Sequence, residues 1–278
     1  MIGELASFSN ALSNAFTNTL GGKSTQLSTW RNTLRYSSSI ALVIICFVIA
    51  FNLETLTTKV FALGFIAGIT GGLGLPFIYK AISTGAVSFV GPVVALTQSF
   101  FLIMFAVIVK NESLSLTFPI AASLGAVGIC LCSRQAVGNQ PVTFSIFLLA
   151  ATAAIFFSGF SFIATEIDNS QILGGLVGAR FGVFALTFVF PPKKELEIPT
   201  GGEYKKFALL SGFCEVVANI FFMIAINNLE LSKVGIFMAS APALSTLIAI
   251  KMLHQKPSIT NWVGIAASSG ALAIIAIS

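Results

Sequence analysis

The sequence predicts an all-α integral membrane protein with ten transmembrane helices, arranged as two inverted repeats of five helices each. Hydrophobic residues make up 56% of its 278 residues and charged residues 9%, whereas a soluble domain has about 45–50% and about 25%. A fold of this length could not hide so much apolar surface from water, so lipid must surround most of the chain. Short segments also recur at one nearly constant spacing, which predicts an internal duplication.

The duplication is visible in three pairs of segments. Residues 265–271 (IAASSGA) match residues 120–126 (IAASLGA), which lie 145 positions earlier. Two further pairs have the same or nearly the same spacing: Arg35 and Arg180 at 145, and Ala81–Ile82 and Ala225–Ile226 at 144. These matches divide the chain into two units, residues 1–134 and residues 135–278.

The first unit contains five predicted helices. They cover Ile2–Leu20, Trp30–Phe51, Val60–Ile82, Ala86–Val109 and Leu116–Cys132. Helix 1 is the most polar of them, and its polar side chains share one helical face: Ser7, Asn10, Asn14 and Thr17. Two interpretations stay open, a spanning helix whose polar face lines a hydrated cavity and an amphipathic helix that lies on the membrane surface.

The second unit also contains five predicted helices. They cover Phe144–Thr165, Ile172–Phe190, Phe207–Asn227, Ser232–Leu253 and Ile259–Ile277. Because five is an odd number, the second unit lies upside down relative to the first. In inverted repeats of this kind the binding site lies near the bilayer midplane, where the repeats meet. Helices 3 and 7 each carry glycines four residues apart, which predicts close approach to a neighbouring helix: Gly64, Gly68 and Gly72, and Gly174, Gly178 and Gly182.

Two ionisable residues lie deep in apolar runs, where a charge is costly and therefore indicates function. Glu215 lies about eight residues into helix 8, roughly 12 Å along its axis, near the middle of a hydrocarbon core about 30 Å thick. Arg180 has a similar depth in helix 7. Ser211 and Asn219 lie one turn from Glu215 on the same face. We predict that these four side chains belong to a substrate-binding site.

Three interpretations of Glu215 stay open. Its carboxylate binds a cation or a coupling proton, or Arg180 neutralises it as a structural ion pair, or the helix bounds are displaced and the side chain reaches an interface. Burial of a carboxylate favours its protonated form and a nearby guanidinium favours its charged form. Arg35 is shallower, and its long side chain is expected to reach towards the membrane surface.

Four further polar residues are candidates for the same cavity. Ser158 and Ser161 lie near the middle of helix 6, Gln98 lies on helix 4 and Ser240 on helix 9. For Gln98 and Ser240, ordinary hydrogen bonds between helices are an equally good interpretation.

Composition argues against several other classes of protein. The net charge of +5 is a signal of membrane surface and orientation, so no nucleic-acid partner is expected. The sequence has a single histidine and lacks a phosphate-binding loop, and its four cysteines lie in apolar runs, where they are expected to be small buried hydrophobes. No metal, no cofactor and no enzymatic activity are therefore expected.

The chain resembles the EamA-type ten-helix permeases of the drug/metabolite transporter superfamily. The motifs that carry the resemblance are Leu34-Arg35-Tyr36, Ala179-Arg180-Phe181, Asn111-Glu112-Ser113-Leu114, Ala239-Ser240-Ala241-Pro242 and Trp262 with Gly264 and Gly270. The sequence departs from the family pattern in three places: Gln98 replaces the usual proline of helix 4, no acidic residue follows helix 9, and helix 1 lacks a Trp-Gly pair.

The resemblance implies a secondary transporter of the cell (inner) membrane that moves a small polar or cationic metabolite or drug by alternating access, with coupling to H+ or Na+ as an option. The alternative is a non-transporting membrane scaffold or receptor. Orientation stays open, because most loop lysines and arginines follow odd-numbered helices, which places both termini outside, whereas the resemblance implies that both are inside. Substrate, direction of transport, coupling ion and oligomeric state also stay open.

Overall fold

The chain folds almost entirely into α-helices. A computed structural model describes residues 1–51, 53–83, 87–113, 116–133, 143–192, 202–239, 244, 248 and 259–277. The described residues form ten α-helices: α1 Ile2–Leu27, α2 Trp30–Ile49, α3 Thr58–Ser83, α4 Val87–Ile108, α5 Thr117–Ser133, α6 Phe144–Ala164, α7 Ile172–Val189, α8 Glu203–Asn228, α9 Leu231–Ala239 and α10 Ile259–Ile277.

Five segments among the described residues are long and apolar enough to cross a membrane. They are Trp30–Ile49, Thr58–Ile82, Phe144–Ala164, Asn169–Val189 and Glu203–Asn228. Large apolar side chains project from their outer surfaces, and Phe47 and Phe188 are more than two-thirds exposed. Lipid is the solvent that such a surface requires, so this is a membrane protein.

Most predicted helix bounds lie within two residues of the observed ones, but three differ. Helix α1 continues to Leu27 instead of ending at Leu20. The hydroxyls of its polar last turns find partners within the helix, as Thr25 does at the Gly21 carbonyl at 2.9 Å, so these polar residues do not end it. Helix α8 begins at Glu203, four residues before the predicted start. The predicted helix 9 is described only over Leu231–Ala239, and most of its remainder lies outside the described residues.

Helix α1 packs antiparallel along the whole length of α8. Gly3 lies against Asn228 at one end. At the other end, the Ser24 hydroxyl donates to the Tyr204 carbonyl at 3.0 Å. Helices α3 and α6 form a second antiparallel pair, in which Gly74 contacts Ala153 and Phe157.

The two glycine rows predicted from the sequence face each other. Helices α3 and α7 run parallel, with Gly68 against the backbone of Ala179. A β-carbon at Gly178 would overlap the backbone of Phe61, and one at Gly182 would overlap that of Phe65. Only glycine permits this separation, which is why the two rows bring the helices together.

A carboxylate from the first unit caps a helix of the second. Glu112, in the loop after α4, accepts the backbone N–H of Leu231 at 2.9 Å and that of Ser232 at 3.0 Å. These are first-turn amides of α9, which lack partners within the helix and favour a negative charge. Asn111 before it has a φ of 54°, the left-handed conformation that asparagine tolerates better than most residues. This contact ties the two units together.

The cysteines only partly match expectation. Cys46 and Cys214 are half-buried, but Cys130 is exposed on α5, so the expectation that it is buried was wrong. An apolar run in a membrane helix has a lipid-facing side as well as a protein-facing side, and the run alone does not distinguish them. Cys132 has a side chain that is not described.

Candidate functional site

A cavity of about 150 Å³ lies between the helices near the centre of the protein. Its described walls come from α1, α3, α4, α6, α7, α8 and α9, so both units contribute to it. The polar lining residues are Asn10, Asn14, Thr17, Asn18, Gln98, Ser161, Arg180, Glu215 and Asn219, and the large apolar ones are Leu75, Ile78, Val94, Phe157, Phe160, Val183, Phe222 and Met238.

Arg180 and Glu215 form an ion pair in the wall of this cavity. The Arg180 Nη1 lies 2.6 Å from the Glu215 Oε1. Arg180 is 2% exposed and Glu215 is 15% exposed, so the pair is largely shielded from water. Glu215 lies near the middle of α8, a helix that is long and apolar enough to cross a membrane. A charged pair costs far less to bury than either ion alone, and its geometry explains how both residues are accommodated.

The polar face of α1 is turned inward. Asn10 is 1% exposed, and its Nδ2 donates to the Ala218 carbonyl at 2.7 Å. Its Oδ1 has no hydrogen-bond partner among the described residues, although Asn10 borders the cavity. Asn14 and Thr17 border the cavity beside it. A buried acceptor without a partner is costly, and this one belongs to a residue of the cavity wall.

Seven of the predicted site residues border the cavity and two do not. Ser211 is buried, and its hydroxyl donates to the Thr17 carbonyl at 2.9 Å. Ser158 is buried, and its hydroxyl donates to the Ala154 carbonyl at 2.9 Å. Both hydroxyls are therefore engaged with backbone oxygens instead of a cavity. Ser240 lies outside the described residues. The seven predicted residues that border the cavity are Asn10, Asn14, Gln98, Ser161, Arg180, Glu215 and Asn219.

Sequence reasoning missed one polar and several aromatic members of the wall. Asn18 follows Asn14 by one turn of α1, a spacing that could have identified it. Phe157 and Phe160 precede Ser161 on the same side of α6, and Phe160 packs against Phe222 with ring centroids 6.1 Å apart. The faces of such rings attract cations.

The described lining contains one cation and one anion, and these two residues neutralise each other. The remaining polar lining groups are amides and hydroxyls, which both donate and accept hydrogen bonds. The described lining is therefore polar and close to neutral in net charge, with aromatic rings in its wall.

Comparison with known proteins gives a family and a fold. The model of the EamA-like transporter family matches residues 131–277. A solved crystal structure has the same fold, with a TM-score of 0.76 and 18% identity, and the match covers 99% of this chain and 96% of the other. No curated protein matches the sequence.

Proposed function

The chain belongs to the EamA-like transporter family, within the drug/metabolite transporter superfamily, and from this premise we propose that it is a secondary transporter. It moves a small polar or cationic metabolite or drug across the cell (inner) membrane by alternating access, through the central cavity. The members of this family are transporters and not enzymes. Coupling to H+ or Na+ belongs to the proposal, with Glu215 as the group that binds the ion or the cationic part of the substrate.

The unpartnered Oδ1 of Asn10 is the observation that carries the proposal. Together with Asn14, Asn219 and Gln98 it gives the cavity several groups that can bond a ligand from different helices. One buried water needs roughly 10–15 Å³ of such space, so a cavity of about 150 Å³ accommodates a small metabolite with some of its hydration. Buried oxygens without a partner among the described residues also occur outside the cavity lining, at Ser7, Tyr79 and Tyr204, so the position of Asn10 at the cavity is what supports the proposal.

Two inverted repeats, residues 1–134 and 135–278, provide the architecture for alternating access. Asn10 of α1 contacts Ala218 of α8. If the spacing of 145 relates the two units, the equivalent contact joins Ile155 of α6 to Leu73 of α3. The observed contact of Gly74 with Ala153 and Phe157 lies at this place in the α3–α6 pair. The family match to residues 131–277 also begins close to the proposed boundary. Superposition of α1–α5 on α6–α10 tests the inverted relation.

Helix α1 is a spanning helix in this architecture, which makes ten in total. It follows α8 from end to end, and α8 is itself long and apolar enough to cross a membrane. Its polar face is buried against the protein and its apolar residues Leu5 and Phe8 are exposed. This is the distribution of a helix between a cavity and lipid, and it disfavours a helix that lies on the membrane surface.

The test is transport by the purified protein in proteoliposomes. A thermal-shift screen with pooled small metabolites identifies a stabilising compound, and its uptake is then measured. Asn14→Ala removes an amide that borders the cavity and has no hydrogen bond within the described protein, and uptake is expected to fall by roughly two- to tenfold.

Asn227→Ala is the matched control. Asn227 is a half-buried residue of α8 whose side chain donates to the Met223 carbonyl of the same helix, and it does not border the cavity. Equal losses in the two variants would contradict the assigned site. Specific binding without uptake by the wild-type protein would favour the receptor or scaffold function.

A further inference from the structure

We propose that this protein holds the headgroup of an anionic phospholipid in a groove between the start of α2 and the end of α7. We call this the basic groove and define it by Arg31, Arg35, Phe184, Thr187 and Phe188. The inference is independent of the proposed transport function, because none of these residues borders the central cavity. Phe188 is exposed at the outer surface, Arg31, Arg35 and Phe184 are half-buried, and Thr187 is buried.

Two guanidinium groups define the basic groove. Arg31 and Arg35 are one helical turn apart on α2 and therefore share a face. The Arg35 Nη1 donates to the Thr187 hydroxyl at 2.8 Å. Its guanidinium lies over the ring of Phe184 at 5.0 Å and over that of Phe188 at 5.4 Å. These contacts fix the group and leave most of its five N–H donors unused.

Neither arginine has a carboxylate partner among the described residues. Arg31 lies over the ring of Trp30 at 5.2 Å, and the Trp30 ring meets that of Phe190 edge-on at 5.5 Å. Both arginines are half-buried. A half-buried guanidinium beside hydrocarbon needs an anion, and in its absence the charge stays poorly compensated.

The depth of the groove matches that of a lipid headgroup. Arg31 is the second residue of α2 and Arg35 the sixth, so they lie within about 8 Å of the helix end at 1.5 Å per residue. Phe188 is 69% exposed and opens the groove to lipid. Trp30 is of the residue type that concentrates at the membrane–water interface.

The chemistry of the groove favours phosphate. A planar guanidinium matches two phosphate oxygens at once, so arginine suits phosphate better than lysine does. The described residues at this end of the protein are also mostly basic: Lys23, Lys80, Lys205 and Lys206 lie near the groove, and Glu203 is the one carboxylate among the described residues there. The acyl chains of a lipid bound in the groove would lie along the exposed apolar surface of α7.

The test measures lipids retained by the intact purified protein. The protein in detergent is incubated with phosphatidylglycerol or with phosphatidylcholine of the same acyl chains, and bound lipid is counted by native mass spectrometry. The wild-type protein is expected to retain phosphatidylglycerol and to retain little phosphatidylcholine. Arg31→Gln combined with Arg35→Gln is expected to lower retention of phosphatidylglycerol by roughly thirtyfold. Equal retention of the two lipids by the wild-type protein would overturn the proposal, and this comparison needs no variant.

Lys23→Gln combined with Lys206→Gln is the matched control, because it removes two positive charges from the same end outside the groove. Retention by this control is expected to stay near the wild-type level, and a loss as large as that of the arginine variant would overturn the assignment. Excess inorganic phosphate is expected to leave the lipid bound. If phosphate alone displaces it, the groove binds the free ion and the lipid proposal is wrong.

Discussion

Arg180 and Arg35 stand 145 residues apart at matching places in the two units, yet their surroundings are opposite. Arg180 is 2% exposed and pairs with the Glu215 carboxylate at 2.6 Å beside the cavity. Arg35 is half-buried and meets the Thr187 hydroxyl and two phenylalanine rings at the outer surface. The two arginines therefore differ in what they contact: Arg180 contacts a carboxylate, and Arg35 contacts a hydroxyl and two aromatic rings.

The helix that follows each arginine in the sequence also differs. The spacing of 145 relates Glu215 in α8 to Thr70 in α3. The Thr70 hydroxyl donates to its own helix, at the Ile66 carbonyl, and carries no charge. Residues 135–278 thus hold a charged pair at the cavity, whereas Arg35 is a cation at the outer surface.

The largest expected effect comes from removing the buried arginine. Arg180→Gln leaves the Glu215 carboxylate without its partner, which typically costs about 3–5 kcal/mol. The thermal midpoint of the protein in detergent should therefore fall sharply. The double variant Arg180→Gln with Glu215→Gln should recover part of the loss, since no unpaired charge remains. A midpoint for Arg180→Gln equal to that of wild type would show that the pair does not stabilise the fold.

The cap of α9 tests a second asymmetry between the units. Glu112 accepts two first-turn amides of α9, whereas the residue 145 positions later is Pro257, which has no carboxylate. Glu112→Ala is expected to destabilise the protein by about 1–2 kcal/mol, as loss of a helix cap does. Glu54→Ala, at an exposed glutamate, serves as the control and is expected to leave the midpoint unchanged.

A smaller effect than at Arg180 is expected at the outer arginine. Arg35→Gln loses one hydrogen bond and two cation–ring contacts, each worth about 0.5–1 kcal/mol at a partly exposed site, and it leaves no buried charge unpaired. The midpoint of this variant in detergent should lie much closer to wild type than that of Arg180→Gln. If the midpoint falls as far as it does for Arg180→Gln, the two arginines have similar structural roles, and the contrast drawn between them is wrong.

Much of this architecture could be predicted from the sequence, because apolar length and periodicity report directly on membrane helices. The polar face of α1 was identified by the spacing of Asn10, Asn14 and Thr17, and the pairing of Glu215 with Arg180 was one of three interpretations. The positions of Ser158 and Ser211 outside the cavity could not be predicted. The Ser158 hydroxyl bonds to a carbonyl one turn back in its own helix, which leaves no trace in the sequence, and the Ser211 hydroxyl bonds to a carbonyl of a distant helix.

Other features depend on contacts between distant segments. The role of Glu112 is set by a helix that begins 119 residues later, and no local pattern indicates it. Each glycine row could be recognised in the sequence. That the two rows face each other, however, depends on how α3 and α7 pack in the folded protein. Phe157, Phe160 and Phe222 are three of 27 phenylalanines, and composition does not distinguish cavity walls from lipid-facing surface.

The most direct test of the account is substrate flux against pH in proteoliposomes for wild type and for Glu215→Gln, which keeps the shape of the side chain and removes its charge. If Glu215 binds the coupling ion or the cationic part of the substrate, the variant loses most of its flux, and what is left varies little with pH. Glu203→Gln, at an exposed residue in the first turn of the same helix, should keep the wild-type profile. A folded Glu215→Gln protein that transports with the wild-type rate and pH profile would contradict the account and leave the Arg180–Glu215 pair a purely structural contact.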